Sequence, residues 1–367
     1  MARTYNRAII IHSPYARRAD RFRDALSYLR LRQIEPVEMI SIADLDGQPP
    51  QGRVWKARGV DLVIAAGGDG TIGGVVTHIA EYGLPLAILP LGTANDIARS
   101  LGIPQDLQQA AEVVATGQER VIDIGVAQPA EQAPHPANIH PGIPGSRHVT
   151  AENYSFFAHA LTVGVNVEFA RKATDPAVRE RYGSLTYPFT ALEVLRNHTV
   201  LHAELQFAGV SSPSPVTSTD PTIGNDQLTL KYRILLVAVV NTPVFGGTFN
   251  FTLPGVRLTD RLLDVIIVED VDLESLSERL ANFMQSQKPA APISPGSQGP
   301  APLAGRADLS VIPGIHHLRA RGVVIATEAD PQDVTVDGEI RGQTPIRVRT
   351  ADEQLRVIVP TAPISSW

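Results

Sequence analysis

The first third of the chain alternates strand-like and helix-like segments. Ala8–His12, Pro36–Ile40, Asp61–Ala66 and Leu86–Pro90 read as strands. Val63–Ala66 and Leu86–Pro90 are apolar without alternation, the pattern of a parallel strand buried on both faces. Between and after them, Ala19–Arg32, Thr71–Ala80, Asn95–Arg99 and Leu107–Ala115 read as helices. Strand and helix in turn predict a doubly wound α/β domain over residues 1–124. From Gly125 onward strands dominate, as in Val200–Phe207 and Leu228–Ile234, and their alternation and turn punctuation predict an antiparallel β-sandwich over 125–354. Segments 128–146, 211–226 and 287–304, rich in Pro, Ala, Ser or Gly, interrupt it. They cannot bury a core and read as mobile surface insertions.

Two turns carry the chemistry. The strand ending at Ala66 runs into Gly67-Gly68-Asp69-Gly70-Thr71, and the strand ending at Pro90 runs into Leu91-Gly92-Thr93-Ala94-Asn95-Asp96. Glycines at 67, 68 and 70 allow positive φ and close approach to a ligand, and the helix that follows offers unpaired N–H groups to phosphate. Asp69 would sit among phosphates, where a divalent cation makes a carboxylate tolerable.

Other readings of the glycines weigh against this. Gly68, Gly70 and Gly73 satisfy a dinucleotide fingerprint, but the ribose-binding carboxylate expected about 20 residues on would fall in Pro90–Thr93, where there is none. A Walker A loop is excluded, because Lys56, Lys172, Lys231 and Lys288 never follow a glycine. Glycines that serve only a tight βα turn remain open.

The two turns resemble the catalytic domain of the diacylglycerol kinase and sphingosine kinase superfamily, nearest to its soluble bacterial lipid kinases. Further resemblances follow in order: Val121-Ile122-Asp123-Ile124-Gly125, Tyr182–Tyr187, Asn241–Gly247 and Val334-Thr335-Val336-Asp337-Gly338-Glu339. The resemblance implies an ATP-dependent, Mg²⁺-dependent lipid kinase. Gly67, Gly68, Asp69, Gly70, Thr71, Gly92 and Thr93 would hold nucleotide, Asn95 and Asp96 would border the acceptor hydroxyl, and Asp337 would be its general base. Asp69, Asp123 and Glu339 would form the catalytic Mg²⁺ and phosphate network. The extreme C-terminus, 355–367, would return to the first domain and leave the nucleotide in the interdomain cleft. Phosphoryl transfer requires such positioning and charge neutralisation more than covalent chemistry. Taken alone, Asp-Gly-Glu reads as a hairpin turn.

Three departures from the family pattern stand out. Near the first strand, Ser13-Pro14 replaces Asn-Pro and the following glycine is missing, so nucleotide contact would fall to Ser13 or Arg17, with Arg17 and Arg18 otherwise a solvated helix start. His159 stands where the family often has Asn, and reads as a core histidine or as one facing substrate. Arg261 stands where the family has glycine beside a structural Mg²⁺, which Asp260 and the carbonyls of Arg257 and Leu262 would bind; an exposed turn explains the segment equally well.

Composition narrows the setting. The 367 residues suffice for two cores, and the absence of cysteine removes disulfides, thiolate zinc sites and thiol nucleophiles. No secretory signal and no run of ~18 apolar residues appears, so a cytoplasmic protein that meets lipid at the membrane surface is expected, by peripheral contact and without nucleic acid. A net charge of −6 agrees, although Arg17, Arg18, Arg21, Arg23, Arg30 and Arg32 cluster near the first helix, as a lipid-headgroup patch or a solvated face. Diacylglycerol is the expected acceptor and phosphatidate the product. Another acceptor (a sphingoid base, another lipid alcohol, NAD), a non-catalytic lipid or nucleotide sensor, and a homodimer stay open.

Overall fold

The computed structural model describes residues 5, 7–13, 21–130, 155–165, 200–212, 222–224, 227–245, 251–253, 255–270, 312–328 and 330–361. Arg17, the Tyr182–Tyr187 segment and most of the three insertions lie outside the described residues. The chain runs β1 (Arg7–His12), α1 (Phe22–Leu31), β2 (Glu35–Ser41), α2 (Ile42–Leu45), α3 (Gly52–Ala57), β3 (Leu62–Gly67), α4 (Asp69–Ile79), β4 (Leu86–Pro90), α5 (Asp96–Ser100), α6 (Leu107–Thr116) and β5 (Gln118–Pro129). It continues through β6 (Ser155–Phe157), β7 (Ala160–Gly164), β8 (Leu201–Ser212), β9 (Thr222–Gly224), β10 (Gln227–Val240), β11 (Val244–Phe245), β12 (Phe251–Thr252), β13 (Leu263–Glu269), β14 (Ile315–Thr327), β15 (Asp333–Val336), β16 (Glu339–Gln343) and β17 (Ile346–Val359).

Every residue of β3 and β4 is buried, as their unbroken apolar runs require of strands covered on both faces. Parallel pairing gives the order β2-β1-β3-β4-β17, with β5 antiparallel on the far side of β17. Helix α1 packs on α6, while α4 packs on β3 and β1. Because β2 lies on one side of β1 and β3 on the other, the sheet changes winding direction at β1. Ligands of open α/β sheets bind at that switch, outside the carboxyl ends of the strands. The carboxyl ends of β1, β3 and β4 carry Ser13, Gly67–Gly68 and Leu91–Gly92.

The second half is a β-sandwich built from long strands that pass between its two layers. β10 pairs with β8 through Gln227–Ile234 and with β13 and β7 through its remainder. β14 likewise pairs with β13, then with β8 and β17. The enclosed core includes Phe157, Phe207, Leu230, Val237, Ile267 and Val323. A separate apolar cluster with Leu235, Ala238, Val240, Leu253 and Ile266 lies apart from it, with Phe245 packed against it.

No linker marks residue 125. β5 crosses 124/125 unbroken and pairs with β17 from Gln118↔Val359 to Pro129↔Ile346, so one two-stranded ribbon belongs to both halves. Residues Leu355–Val359 complete the first sheet. Gln128, Pro129, Ser211 and Ser212, expected in insertions, are strand residues of β5 and β8.

Candidate active site

The two glycine turns touch. A methyl carbon built on Gly92 would lie 2.4 Å from Gly68 Cα, and one built on Gly67 would lie 2.2 Å from Thr71 Oγ1. Among Gly67, Gly68, Gly70 and Gly92, none takes a positive φ. The expected backbone freedom is therefore not what these glycines supply. They are required for close approach: β3 and β4 are hydrogen-bonded neighbours, and Leu91 N donates to Gly67 O at 2.9 Å, so only hydrogens fit between the turns.

Asp69 ties the turns together. Its Oδ1 accepts Ile97 N at 2.9 Å and its Oδ2 accepts Asp96 N at 3.1 Å, so a carboxylate from α4 caps the N-terminus of α5. No side chain caps α4 itself, and its first-turn N–H groups lie beside Gly68, in the position suited to phosphate. Asn95 is left-handed at φ 53 and folds back on its own turn: Oδ1 accepts Gly92 N at 2.9 Å, while Nδ2 donates to Gly92 O and Gln105 Oε1. Buried in this way, Asn95 holds the turn shape. Thr71 is buried against Gly67, Thr93 is exposed, and Ser13 N donates to Ala66 O at 3.2 Å at the mouth of the switch.

The far end of the sequence arrives as a hairpin. Asp337 and Gly338 link β15 to β16 with φ of 48° and 87°, the both-positive geometry of a type I′ turn. The hairpin and functional readings of Asp-Gly-Glu are thus compatible, because the hairpin tip docks on α4. A methyl at Gly73 would lie 2.5 Å from Asp337 Oδ2, and one at Gly70 would lie 3.3 Å from Glu339 Oε1.

Asp337 is buried and its carboxylate is caught by three amides at 3.0 Å: Oδ1 accepts His159 N and Ala160 N, and Oδ2 accepts Ala158 N. Burial pushes its carboxyl above the ordinary value, against the opposing pull of His159 and the three amides. A carboxylate offers about four acceptor positions, so one remains, on Oδ2. Glu339 is about half exposed and pairs with Arg341 at 2.5 Å.

Asp123 does not join this group. It is fully buried, and both oxygens are engaged: Oδ2 accepts Arg261 N at 2.7 Å, while Oδ1 accepts Gln354 Nε2 at 2.8 Å and lies 3.3 Å from Arg261 Nε. Among the described residues no three His, Asp or Glu side chains gather as a metal cage. The residues fit a catalytic Mg²⁺ only as an ion held largely by nucleotide phosphates, with Glu339 and Asp69 as the carboxylates on hand, the usual manner for this cation.

At the expected structural metal site the side chains already have protein partners. Asp260 Oδ1 accepts Leu262 N at 3.1 Å and Oδ2 pairs with Arg319. Arg261, at φ 60, donates from Nη1 to Ala351 O and Asp352 O. A guanidinium therefore lies at this junction, and the donor set expected of Arg257, Asp260 and Leu262 does not fit a metal.

Two residues singled out in the sequence, Asn241 and His159, take positions whose partners the sequence did not show. Asn241 Nδ2 donates to Asp123 O at 2.8 Å and Ala158 O at 3.0 Å, joining the ribbon to the amides that hold Asp337. His159 is buried, with Nδ1 2.5 Å from Thr242 Oγ1 and Nε2 3.6 Å from Asp96 Oδ2. Of the aromatic residues beside these motifs, Phe156 and Phe157 are core, and Phe245 packs against the His159 ring at 5.7 Å between centroids.

Comparison with known proteins agrees with this arrangement. Residues 14–127 match the diacylglycerol kinase catalytic domain, and residues 160–289 match the YegS C-terminal NAD kinase beta sandwich-like domain. A diacylglycerol kinase of Staphylococcus saprophyticus is 24% identical over 302 residues, covering 82% of this chain and 77% of its own length. An uncharacterized protein of Synechocystis sp. is 24% identical over the same span, and this chain covers about half, 55%, of it. A diacylglycerol kinase of Bacillus subtilis is 52% identical over 71 residues, 18% of this chain and 23% of its own. The crystal structure of a diacylglycerol kinase from Bacillus anthracis str. Sterne shares the fold, with a TM-score of 0.58 at 17% identity over 98% of this chain and 99% of its own. With matches to both domains in order and the fold shared end to end, the chain resembles the diacylglycerol kinase-like lipid kinases.

Proposed function

We propose that this protein transfers the γ-phosphoryl group of Mg-ATP to the primary hydroxyl of diacylglycerol, giving phosphatidate. The observation that carries the reading is the meeting of three segments distant in sequence: the Gly68 turn, the Gly92 turn and the Asp337 hairpin converge on the first turns of α4. The first-turn amides of α4 bind phosphate oxygens, and the Gly68–Gly92 contact fixes the width of the cradle. The acceptor oxygen attacks the γ-phosphorus, the bond to the bridging oxygen of ADP breaks, and the hydroxyl proton passes to the open acceptor position on Asp337 Oδ2. Burial, which favours the protonated carboxyl, suits a group that must accept a proton. Mg²⁺ brought with ATP would neutralise charge on the transferred group, with Glu339 beside it. The apolar cluster next to Phe245 suits acyl chains.

The test is transfer of labelled γ-phosphate from Mg-ATP to diacylglycerol, monoacylglycerol, sphingosine and NAD in mixed micelles. Labelled phosphatidate is expected, and Asp337→Ala should lose about 10²–10⁴-fold in kcat while still binding ATP. Label in another product alone would replace the acceptor and keep the mechanism. A nucleotide sensor is the second reading, favoured by the three amides that already engage Asp337. ATP binding with no transfer to any acceptor would select it.

A further inference from the structure

Ala158 and His159 form the link between β6 and β7, and their backbone is held on every side. Ala158, His159 and Ala160 donate to the Asp337 carboxylate, Asp337 N donates back to Ala160 O at 2.8 Å, and Asn241 N donates to His159 O at 2.8 Å. The imidazole of His159 points the other way, toward α5. Its donors and acceptors can be counted. Thr242 Oγ1 lies 2.5 Å from Nδ1 and 3.3 Å from Val244 O, so its one hydroxyl proton is best used on the shorter contact, donated to Nδ1, which leaves the ring's own hydrogen for Nε2. A neutral ring with its proton on Nδ1 would turn a bare Nε2 lone pair toward Asp96 Oδ2, 3.6 Å away, with both groups nearly sealed from water. Two lone pairs facing one another there are unfavourable, which favours the ring hydrogen on Nε2, toward Oδ2. Arg99, with Nη1 3.8 Å from Asp96 Oδ1, supports the carboxylate from its other side.

We infer that His159 is a positioning residue of the phosphoryl-transfer site: its backbone fixes Asp337, and its Nε2 proton fixes Asp96, so that one residue sets the spacing of the two acidic motifs. The inference rests on the lipid kinase reading. Phe245 against the ring leaves the imidazole little freedom to leave this bridge. Residue 159 therefore does something an apolar core residue would not, since only a side chain with two separated polar atoms spans Thr242 and Asp96.

The two ring nitrogens can be tested separately. Glutamine places its amide nitrogen near the Nε2 position, and asparagine places its amide near Nδ1. Steady-state kcat and KM, for Mg-ATP and for the acceptor, are measured for wild type, His159→Gln, His159→Asn, His159→Ala and Asp96→Asn, with thermal melts to confirm folding. His159→Asn and His159→Ala should lose about tenfold or more in kcat with KM for Mg-ATP within about twofold, and His159→Gln should recover to within about threefold of wild type. Losses from His159→Ala and Asp96→Asn should not multiply in the double variant. Asparagine as good as glutamine, multiplying losses, or a rise in KM for Mg-ATP equal to the fall in kcat would overturn the inference and leave the kinase reading standing. A wild-type protein that labels no acceptor removes the kinase reading, and this inference with it.

Discussion

At Gly73 the side chain is a hydrogen, and a methyl built there would lie 2.5 Å from Asp337 Oδ2 and 2.6 Å from its Cβ. Neither partner can yield, because α4 is packed on β3 and the Asp337 carboxylate is held by three amides. Gly73→Ala is expected to lower stability by about 1–3 kcal/mol, read by urea denaturation, and to reduce kcat more than KM for Mg-ATP, since it displaces the hairpin and not the phosphate cradle. His78, later in α4, gives a pH prediction. It is buried against Trp55, and burial pulls its pKa below the ordinary value of 6.5, with Arg341 adding to that pull against two backbone hydrogen bonds. The folded state thus binds this proton less readily than the unfolded one. Its stabilising effect is present above pH 6.5 and is lost as pH falls from there through the folded value. His78→Gln should therefore flatten the drop in melting temperature between pH 8 and pH 5; a drop as steep as that of wild type would remove His78 as its source.

At the scale of elements, legibility depended on whether the cause was local. The strand, glycine turn and helix units around Gly68 and Gly92 are written in consecutive residues, and their apolar runs match strands buried on both faces. The hairpin at Asp337-Gly338 was legible for the same reason. The purpose of the glycines was not, because Gly68 meets Gly92 and Gly73 meets Asp337 only after strands pair. Nor was the fate of Asp123, whose partners Arg261 and Gln354 lie 138 and 231 positions away. A carboxylate inside a motif looks like a metal ligand until an arginine from another element is seen to occupy it. The structural partners of Asp69, the α5 amides, were hidden in the sequence for the same reason. Asp69→Asn keeps the shape but removes the charge that caps α5, and should cost roughly 1–2 kcal/mol in unfolding free energy. Asp69→Ala should also weaken Mg-ATP binding by calorimetry, because the Gly92 turn loses its anchor. Unchanged affinity would show that the cap and the cradle are independent.

Over the whole molecule, the β5–β17 ribbon makes the two halves interdependent. Val357, Ile358 and Val359 are buried in the first domain's core, although they come from the opposite end of the chain. They supply the strand between β4 and β5, and without them β4 presents an unpaired apolar edge and β5 loses its partner over Gln118–Arg120. Midway along the ribbon, Asp123 is fully buried and depends on Arg261 from the sandwich and Gln354 from β17. A chain ending at Glu353 loses Gln354 and the rest of that strand, Leu355–Val359, at once. Burying Leu355, Val357, Ile358 and Val359 contributes on the order of 1.5–3 kcal/mol each, comparable in sum to the whole stability of an ordinary domain. Such a chain is expected not to fold even in its first 124 residues, and to show no dispersed amide spectrum and no ATP binding. The milder Arg261→Ala removes a half-exposed cation from beside a buried carboxylate that keeps the amide of residue 261 and Gln354, and should cost about 1–3 kcal/mol, lowering one cooperative transition. Two separate transitions in that variant, seen by Trp55 fluorescence and by circular dichroism, would mean that the halves fold independently and that the ribbon merely connects them.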